Sequence, residues 1–349
     1  MSIALAKLQV YVHSPHLEAA HLQITSTLTT MKTTSAIVLG FIAAASANPL
    51  NTRSETGSSG CGTPHNSGFN SNPDSHTITS GGRDRTYAVR VPDGYNDDPN
   101  KPRKVIFDFH GRAGSPENQY QNSQYDKYDA GKEYLAVYPA GVDAAWQGAP
   151  YAVKGVDDVL FVKDLLARLR EQYCIDDNHV YASGKSNGGG FVDTLACSDV
   201  GDQFAAFAMA AAALYDDTSK DRCDKKRAIL EAHGGNDATI PYPGGSTNSG
   251  GDVPDVDQWV TWWGQRNGCA ADEGKTTQHD GYQTTTFACE GLSAVVKHYK
   301  INDLGHCWPS STGDNSDGSR DYCGDHSLDF TPRVLDFFGT WDLTNAPKN

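Results

Sequence analysis

Short apolar segments that end near glycine or proline alternate with helical segments through most of this 349-residue chain. Strand patterns occupy 85–91, 105–110, 134–138, 179–183, 206–212, 228–232 and 295–301, and helical spacing of apolar residues follows Asp157 and recurs over 255–266 and 331–341. Strands that alternate with helices are joined by crossovers, so this order predicts an α/β fold in which a mostly parallel central sheet is flanked by helices. No repeat or compositional break follows residue 76, and we therefore predict a single domain over 77–349.

The charge of the chain limits its partners. Lys and Arg number 29 against 43 Asp and Glu, which gives a net charge of −14. Nucleic acids and anionic membrane surfaces are bound by clustered Lys and Arg, so we expect neither as a partner. No apolar run reaches the roughly 18 residues that a membrane-spanning helix needs.

The N-terminal region has the pattern of a secretory signal. Lys32 precedes an apolar run over 36–45, and Ala45-Ser46-Ala47 resembles the small-residue cleavage site of such signals. We predict a signal peptide over 31–47 and a secreted, extracellular protein. Residues 1–30 are then a dubious upstream extension: either translation starts at Met31 or the signal is internal. Residues 48–76, rich in Ser, Gly, Asn and Pro, are predicted to be an irregular lead-in.

The cysteine content agrees with secretion. An even number of cysteines in a secreted chain predicts disulfides, here four, among Cys61, Cys174, Cys197, Cys223, Cys269, Cys289, Cys307 and Cys323. Their spacing does not decide the pairing, although Cys269 and Cys289 would link the end of a helix to a strand. No C-x-x-C or H-E-x-x-H spacing occurs, so the sequence gives little support for a zinc site. We predict no cofactor.

A glycine-flanked serine follows one of the predicted strands. Gly184-Lys185-Ser186-Asn187-Gly188 fits the G-x-S-x-G pattern, with a strand pattern before it and a helical one after it. In that setting a sharp strand-to-helix turn presents the hydroxyl above the sheet, and the glycines avoid clashes that a Cβ would create. Ser186 is the predicted nucleophile.

A serine hydroxyl needs a base and an orienting acid to react near neutral pH. Asp237 and His306 follow the ends of two later strands, in the order Ser, Asp, His that this motif predicts. Asp303 is a competing acid. Competing histidines are His233, His298 and His110; His298 lies inside a strand pattern and His110 precedes the serine, which favours structural roles for both.

Acyl transfer also needs two N–H donors for the oxyanion that develops on the substrate. One is expected from the backbone of Asn187, directly after the nucleophile. The other is expected from the loop after the strand that ends at Phe109, and we predict the backbone N–H of Arg112.

Five short motifs occur in a fixed order over about residues 60–340. They are Phe109-His110-Gly111-Arg112, Val156-Asp157-Asp158-Val159, Gly184-Lys185-Ser186-Asn187-Gly188-Gly189, His233-Gly234 with Asp237 and Ile240-Pro241-Tyr242, and Gly305-His306-Cys307-Trp308-Pro309. Together they resemble carbohydrate esterase family 1, in particular its fungal feruloyl esterases of type C or D. The resemblance implies an α/β-hydrolase fold, the triad of Ser186, Asp237 and His306, no metal, and hydrolysis of esters in plant cell walls.

The resemblance leaves several activities open. The expected substrate is feruloylated arabinoxylan or another hydroxycinnamate ester, whose flat ring would favour aromatic neighbours; Trp146, Trp308 and Tyr151 are candidates to line the site. Acetyl xylan esterase is the alternative. A polyhydroxybutyrate depolymerase, which tends to carry Cys in place of Arg112, and a catalytically silent carbohydrate-binding protein are further alternatives. No cellulose-binding module is evident.

Overall fold

A computed structural model describes residues 57–215, 223–318, 320–324 and 327–348. The predicted signal peptide over 31–47 and the upstream extension over 1–30 lie outside the described residues. Within the part of the chain that the structure describes, no helix combines the length and the apolar character needed to cross a bilayer.

The described residues form one large sheet of eleven strands, in the order β1-β3-β5-β4-β6-β7-β8-β13-β12-β11, with β2 paired to β3. The six strands from β5 to β13 are mutually parallel, and the flanking pairs at both edges are antiparallel. A separate two-stranded sheet pairs β9 with β10. The strands are β1 Gly68–Asn70, β2 Thr77–Ser80, β3 Arg83–Val91, β4 Arg103–Phe109, β5 Leu135–Pro139, β6 Ile175–Lys185, β7 Ala206–Ala210, β8 Ile229–Gly234, β9 Gly245–Ser246, β10 Asp252–Val253, β11 Lys275–Gln278, β12 Tyr282–Cys289 and β13 Leu292–Ile301.

The helices pack against the parallel part of this sheet. In particular, α3 (Asn187–Ala196) packs against β4, β6 and β7, and α5 (Phe330–Thr340) packs against β7 and β8. The helix predicted after Asp157 begins there, because the Asp157 carboxylate accepts the backbone N–H of Leu160 at 2.9 Å. The helices are α1 Pro116–Ser123, α2 Asp158–Gln172, α3 Asn187–Ala196, α4 Val256–Arg266 and α5 Phe330–Thr340.

The central strands are buried over most of their length. Every residue of β7 and β8 is buried, as is β6 from Val180 onward. Strands covered on both faces read as continuous apolar runs, which is the pattern that the sequence shows. The predicted α/β architecture with a mostly parallel sheet is therefore confirmed.

The edges of the sheet differ from the sequence prediction. β1 lies within the predicted irregular lead-in over 48–76, so that prediction is wrong at Gly68–Asn70, where the chain pairs with Val89–Val91 of β3. β11 and β12 were also not expected. β11 is exposed at every residue and polar, so it lacks the apolar pattern by which a strand is recognised.

Four disulfides join the eight cysteines, as predicted. The pairs are Cys61–Cys174, Cys197–Cys223, Cys269–Cys289 and Cys307–Cys323. The first attaches the N-terminal segment to the residue before β6. The third links the chain just after α4 to the end of β12, as the sequence suggested.

Candidate active site

Ser186 occupies the sharp turn between β6 and α3. Its backbone has φ 55° and ψ −121°, a conformation that residues other than glycine rarely adopt. The neighbouring backbone passes so close that a Cβ at Gly188 would lie 2.1 Å from the carbonyl oxygen of Phe109. Glycine at this position is therefore required by contact with β4, and it lets the turn present the Ser186 hydroxyl at the carboxyl end of the sheet.

Ser186, His306 and Asp237 form one hydrogen-bonded chain. The distance from His306 Nε2 to Ser186 Oγ is 2.7 Å, and that from His306 Nδ1 to Asp237 Oδ2 is 2.8 Å. The serine follows β6, the aspartate follows β8 and the histidine follows β13, and these strands are parallel, so their carboxyl ends lie at the same edge of the sheet. The structure thus brings together the three residues that the sequence singled out, whereas the competing acid Asp303 is exposed.

The loop after β8 fixes the orientation of the Asp237 carboxylate. Its Oδ1 accepts the backbone N–H groups of Thr239 and Ile240, each at 2.8 Å. The other oxygen is left to accept Nδ1–H of His306. Because Nδ1 carries the proton in that bond, the unprotonated Nε2 of His306 faces the serine hydroxyl.

The electrostatic surroundings keep the acid charged and the base neutral. Burial alone would raise the pKa of Asp237, but hydrogen bonds from His233 and His306 lower it well below its usual range. The pKa of His306 is lowered by burial, partly offset by its bond to Asp237, and lowered further by the positive charge of Lys185. A neutral imidazole beside an ionised carboxylate is the protonation state that a general base needs.

A second buried histidine lies behind the aspartate. His233 Nε2 is 3.4 Å from Asp237 Oδ2 and 2.9 Å from the carbonyl oxygen of Ile240, while its Nδ1 is 3.0 Å from Glu231 Oε1. Both ring nitrogens therefore face acceptors. Although burial opposes the charge, Glu231 and Asp237 raise the pKa of His233 to about 10, so the ring is an imidazolium between two buried carboxylates.

The buried cluster continues from Glu231 toward α4. Glu231 Oε2 is 2.7 Å from His298 Nδ1, and His298 Nε2 is 2.9 Å from the hydroxyl of Tyr242, which donates to Asp257 at 2.6 Å. The sequence predicts a structural role for His298, and it gives no role to Glu231. An acidic residue inside an apolar strand run was the signal that could have indicated this cluster.

The loop that carries His306 is tied to the turn that carries the serine. Asp317 Oδ2 accepts from Lys185 Nζ, from Asn122 Nδ2 and from the backbone N–H of Trp308, each at 2.9 Å. The Cys307–Cys323 disulfide closes the base of the same loop. Lys185 directly precedes Ser186, so this buried ion pair joins the turn that carries Ser186 to the loop that follows His306.

Of the two predicted oxyanion donors, Asn187 follows Ser186 in the chain, and Arg112 follows a residue that lies against Ser186. Asn187 is the first residue of α3, so its backbone N–H has no acceptor within that helix. On the other side, a Cβ built at Gly111 would lie 3.3 Å from Ser186 Cβ, which places the chain before Arg112 against the nucleophile. Binding of an oxyanion by Asn187 and Arg112 stays a prediction.

His110 has a structural role in this loop. Its Nε2 accepts the backbone N–H of Gly141 at 3.0 Å, and its Nδ1–H donates to the carbonyl oxygen of Gly111 at 2.7 Å. Burial lowers the pKa of His110 to about 4, so the ring is neutral. It holds the Gly111 backbone through the bond to that carbonyl oxygen.

The two tryptophans proposed to line the site are buried, so that prediction is wrong for both. Trp146 is 0% exposed; its indole N–H donates to the carbonyl oxygen of His110 and its backbone N–H donates to Asn187 Oδ1. Trp308 is 1% exposed, and its indole N–H donates to Thr331 of α5. Both rings are buried where a loop meets the body of the domain, so neither ring has a face that a ligand could contact.

Tyr151 remains available as a lining residue. It is half-buried, meets the ring of Tyr215 edge to face at a centroid distance of 5.9 Å, and lies under the guanidinium of Arg112, whose Cζ is 4.1 Å from the ring centroid. Arg112 also donates to the hydroxyl of Ser249 at 3.1 Å. Among the described residues, no group of three or more His, Cys, Asp or Glu side chains is arranged to hold a metal ion.

Known proteins resemble this chain at the level of a family. The chain is 30% identical over 214 residues to the probable feruloyl esterase C of Aspergillus clavatus, a match that covers 60% of this chain and 72% of that protein. The chain belongs to the fungal feruloyl esterase C family. The predicted resemblance is thereby confirmed, although no family model matches the chain.

A second feruloyl esterase C is matched over a smaller share of its length. The identity to feruloyl esterase C of Emericella nidulans is 30% over 168 residues, which covers 47% of this chain and 58% of that protein. The chain thus spans about three fifths of that curated relative. Among solved structures, an acetyl xylan esterase from Aspergillus awamori has a TM-score of 0.52 at 13% identity and covers 73% of this chain and 94% of its own. At this identity the likeness shows the fold alone, the α/β-hydrolase fold that was predicted.

The ion pair between Lys185 and Asp317 gives a test of how the His306 loop is held. Asp317→Asn leaves the buried ammonium without its partner, so we expect the free energy of unfolding to fall by about 3–5 kcal/mol in urea denaturation. Asp314→Asn in the same loop is the matched control. It breaks an exposed pair with Lys127, at 2.7 Å, and is expected to cost less than about 1 kcal/mol. Equal losses for the two variants would contradict this role of Asp317.

Proposed function

We propose that this protein is a secreted serine esterase that hydrolyses ferulate and related hydroxycinnamate esters of arabinoxylan in plant cell walls. The observation that carries the proposal is the hydrogen-bonded chain from Ser186 through His306 to Asp237 at the carboxyl end of a parallel sheet. Relatives named feruloyl esterase C support the choice of ester. Extracellular location is supported by the four disulfides, which persist in oxidising compartments, and by the signal pattern over 31–47.

The reaction proceeds in two half-reactions. His306 Nε2 takes the proton of Ser186 as Oγ attacks the ester carbonyl carbon, and Asp237 stabilises the imidazolium that forms. The backbone N–H groups of Arg112 and Asn187 bind the oxyanion of the tetrahedral intermediate. The intermediate collapses as His306 protonates the departing alcohol. Water, deprotonated by His306, then attacks the acyl carbonyl carbon. The hydroxycinnamate leaves as His306 returns the proton to Ser186 Oγ.

The aromatic side chains beside Arg112 favour an aromatic acyl group over acetate. Tyr151 and Tyr215 form an edge-to-face pair there, and a further aromatic ring can pack on them in an offset-stacked or edge-to-face geometry. An acetyl group would leave this surface without a partner. We therefore keep acetyl xylan esterase as the alternative outcome.

The proposal is tested with the full chain and its Ser186→Ala variant. We expect ultraviolet absorbance to show ferulate release from methyl ferulate and from feruloylated arabinoxylan, and a fluorophosphonate to label Ser186. In the variant the labelling disappears and kcat falls on the order of 10⁴-fold or more. Matching circular dichroism spectra would show that the variant is folded.

Other outcomes would replace the proposal by a named alternative. Release of acetate from acetylated xylan without release of ferulate would identify an acetyl xylan esterase. Clearing of a polyhydroxybutyrate suspension would identify a depolymerase. Binding of polysaccharide with no labelling of Ser186 would identify a catalytically silent carbohydrate-binding protein.

The protonation state of His306 predicts the pH dependence. The base must be neutral, and its pKa is lowered, so kcat/KM should stay high below the ordinary histidine pKa of about 6.5 and fall only as the pH drops through the lowered value. The charged groups that act on His306 are Asp237, Lys185 and the imidazolium of His233. Asp237 stays ionised through this range because its own pKa is lower still.

His233→Gln should move the acid limb of the kcat/KM profile to higher pH. Without the positive charge of His233, His306 takes up a proton more easily. Asp237 is also free to bind His306 more strongly. Both effects raise the pKa of His306. Activities are normalised to the sites that a fluorophosphonate titrates. His298→Gln is the matched control: it alters the same buried cluster on the far side of Glu231 and should shift the limb less. An unmoved limb in His233→Gln, or a shift to lower pH, would contradict the prediction.

A further inference from the structure

A polar cavity of about 300 Å³ adjoins the turn that carries the nucleophile. Its lining includes Lys185, the residue before Ser186, and Gly111, where an added Cβ would lie 3.3 Å from Ser186 Cβ. The cavity also includes Asp317 and Arg320, from the loop that follows His306. It therefore lies between the loop that supplies the predicted oxyanion donor and the loop that supplies the base.

The floor of this cavity is built from buried polar side chains that are already held in place. Lys185 and Asn122 both bind Asp317 at 2.9 Å, and Gln119 Nε2 donates to Asp108 at 3.0 Å. Lys185, Asn122, Asp317 and Gln119 line the cavity and are buried, whereas most side chains at its rim are exposed. A ligand that enters would not have to order the floor, and this lowers the entropic cost of binding.

The chemistry of the lining selects for a hydroxylated ligand. Apart from Ala113 and the neutral imidazole of His110, the side chains that line the cavity end in amide, hydroxyl, ammonium, guanidinium or carboxylate groups. Sugar hydroxyls both donate and accept, so they can satisfy such groups. An aromatic ring would cover them without hydrogen bonds, which costs free energy for each buried polar group.

The direction of the reaction places the alcohol on the same side. In ester hydrolysis the departing alcohol receives its proton from the base, so it must lie within hydrogen-bond reach of His306 Nε2. The cavity wall contains the loop that Cys307–Cys323 closes directly after His306. The aromatic pair Tyr151 and Tyr215 lies outside the cavity lining, which leaves it to the acyl ring.

We propose that this cavity binds the sugar whose hydroxyl group is esterified, so that Asn118 and Arg320 at its rim determine specificity for sugar-bearing esters. The inference rests on the proposed esterase function. It predicts that the protein distinguishes a sugar ester from a simple methyl ester through side chains that the acyl group does not contact. Substitution of these side chains should therefore lower kcat/KM on the sugar ester and leave kcat/KM on the methyl ester unchanged.

The test compares two substrates of the full-length protein. Methyl ferulate lacks the sugar, and a feruloylated arabinoxylan oligosaccharide carries it. For Asn118→Ala combined with Arg320→Ala, we expect kcat/KM on the oligosaccharide to fall about 5- to 100-fold, as for the loss of two hydrogen bonds, and kcat/KM on methyl ferulate to change by less than about twofold. Arg83→Ala, which removes an exposed arginine of β3 outside the cavity lining, is the matched control and should alter neither value.

A second variant tests the same cavity in another way. Asn118→Trp narrows the opening at an exposed position of α1 and should give the same selective loss. Equal losses on both substrates, or no loss on either substrate in both variants, would overturn the sugar site. Failure of the proposed function is distinguishable, because the unmodified protein would then release no ferulate from methyl ferulate.

Discussion

The hydrogen bond from His306 Nδ1 to Asp237 Oδ2 is the interaction on which the site depends. It fixes the tautomer of the imidazole, so that a lone pair on Nε2 faces the Ser186 hydroxyl. The carboxylate can serve this bond because its other oxygen is held by the backbone of Thr239 and Ile240. If the imidazole pointed elsewhere, the strained turn at Ser186, with φ 55°, would present a hydroxyl that has no base to accept its proton.

The parallel sheet brings the catalytic loops together, and buried charged groups hold them in place. Parallel strands bring the three loops to one edge of the sheet. Lys185 and Asp317 join the serine turn to the histidine loop inside the protein. Behind Asp237, the imidazolium of His233 lies between the carboxylates of Asp237 and Glu231 and places a positive charge near His306. Both devices consist of ionised groups that are stable in the interior only when they are paired.

The sequence predicts those features that are local or that follow from strand ends. The parallel strands, the Asp157 cap, the turn at Ser186 and the loops of Asp237 and His306 each have a signal within a few residues. The contacts of Trp146 and Trp308 could not be predicted, because a position near the site in sequence does not give the direction of a ring. The pairing of Lys185 with Asp317 is equally hidden, since it joins two polar residues that are far apart in the chain. β11 is missed because an exposed edge strand needs no apolar face.

The central claim is that Ser186 becomes acylated by a hydroxycinnamate during turnover. Mixing the protein with a ferulate ester, quenching in acid within the first turnovers and analysing its peptides by mass spectrometry tests this directly. We expect a peptide that contains Ser186 and carries a feruloyl group, and we expect this group to disappear when hydrolysis is allowed to finish. Ferulate release with no feruloyl group on Ser186 at any time, or with the group on another residue, would contradict it.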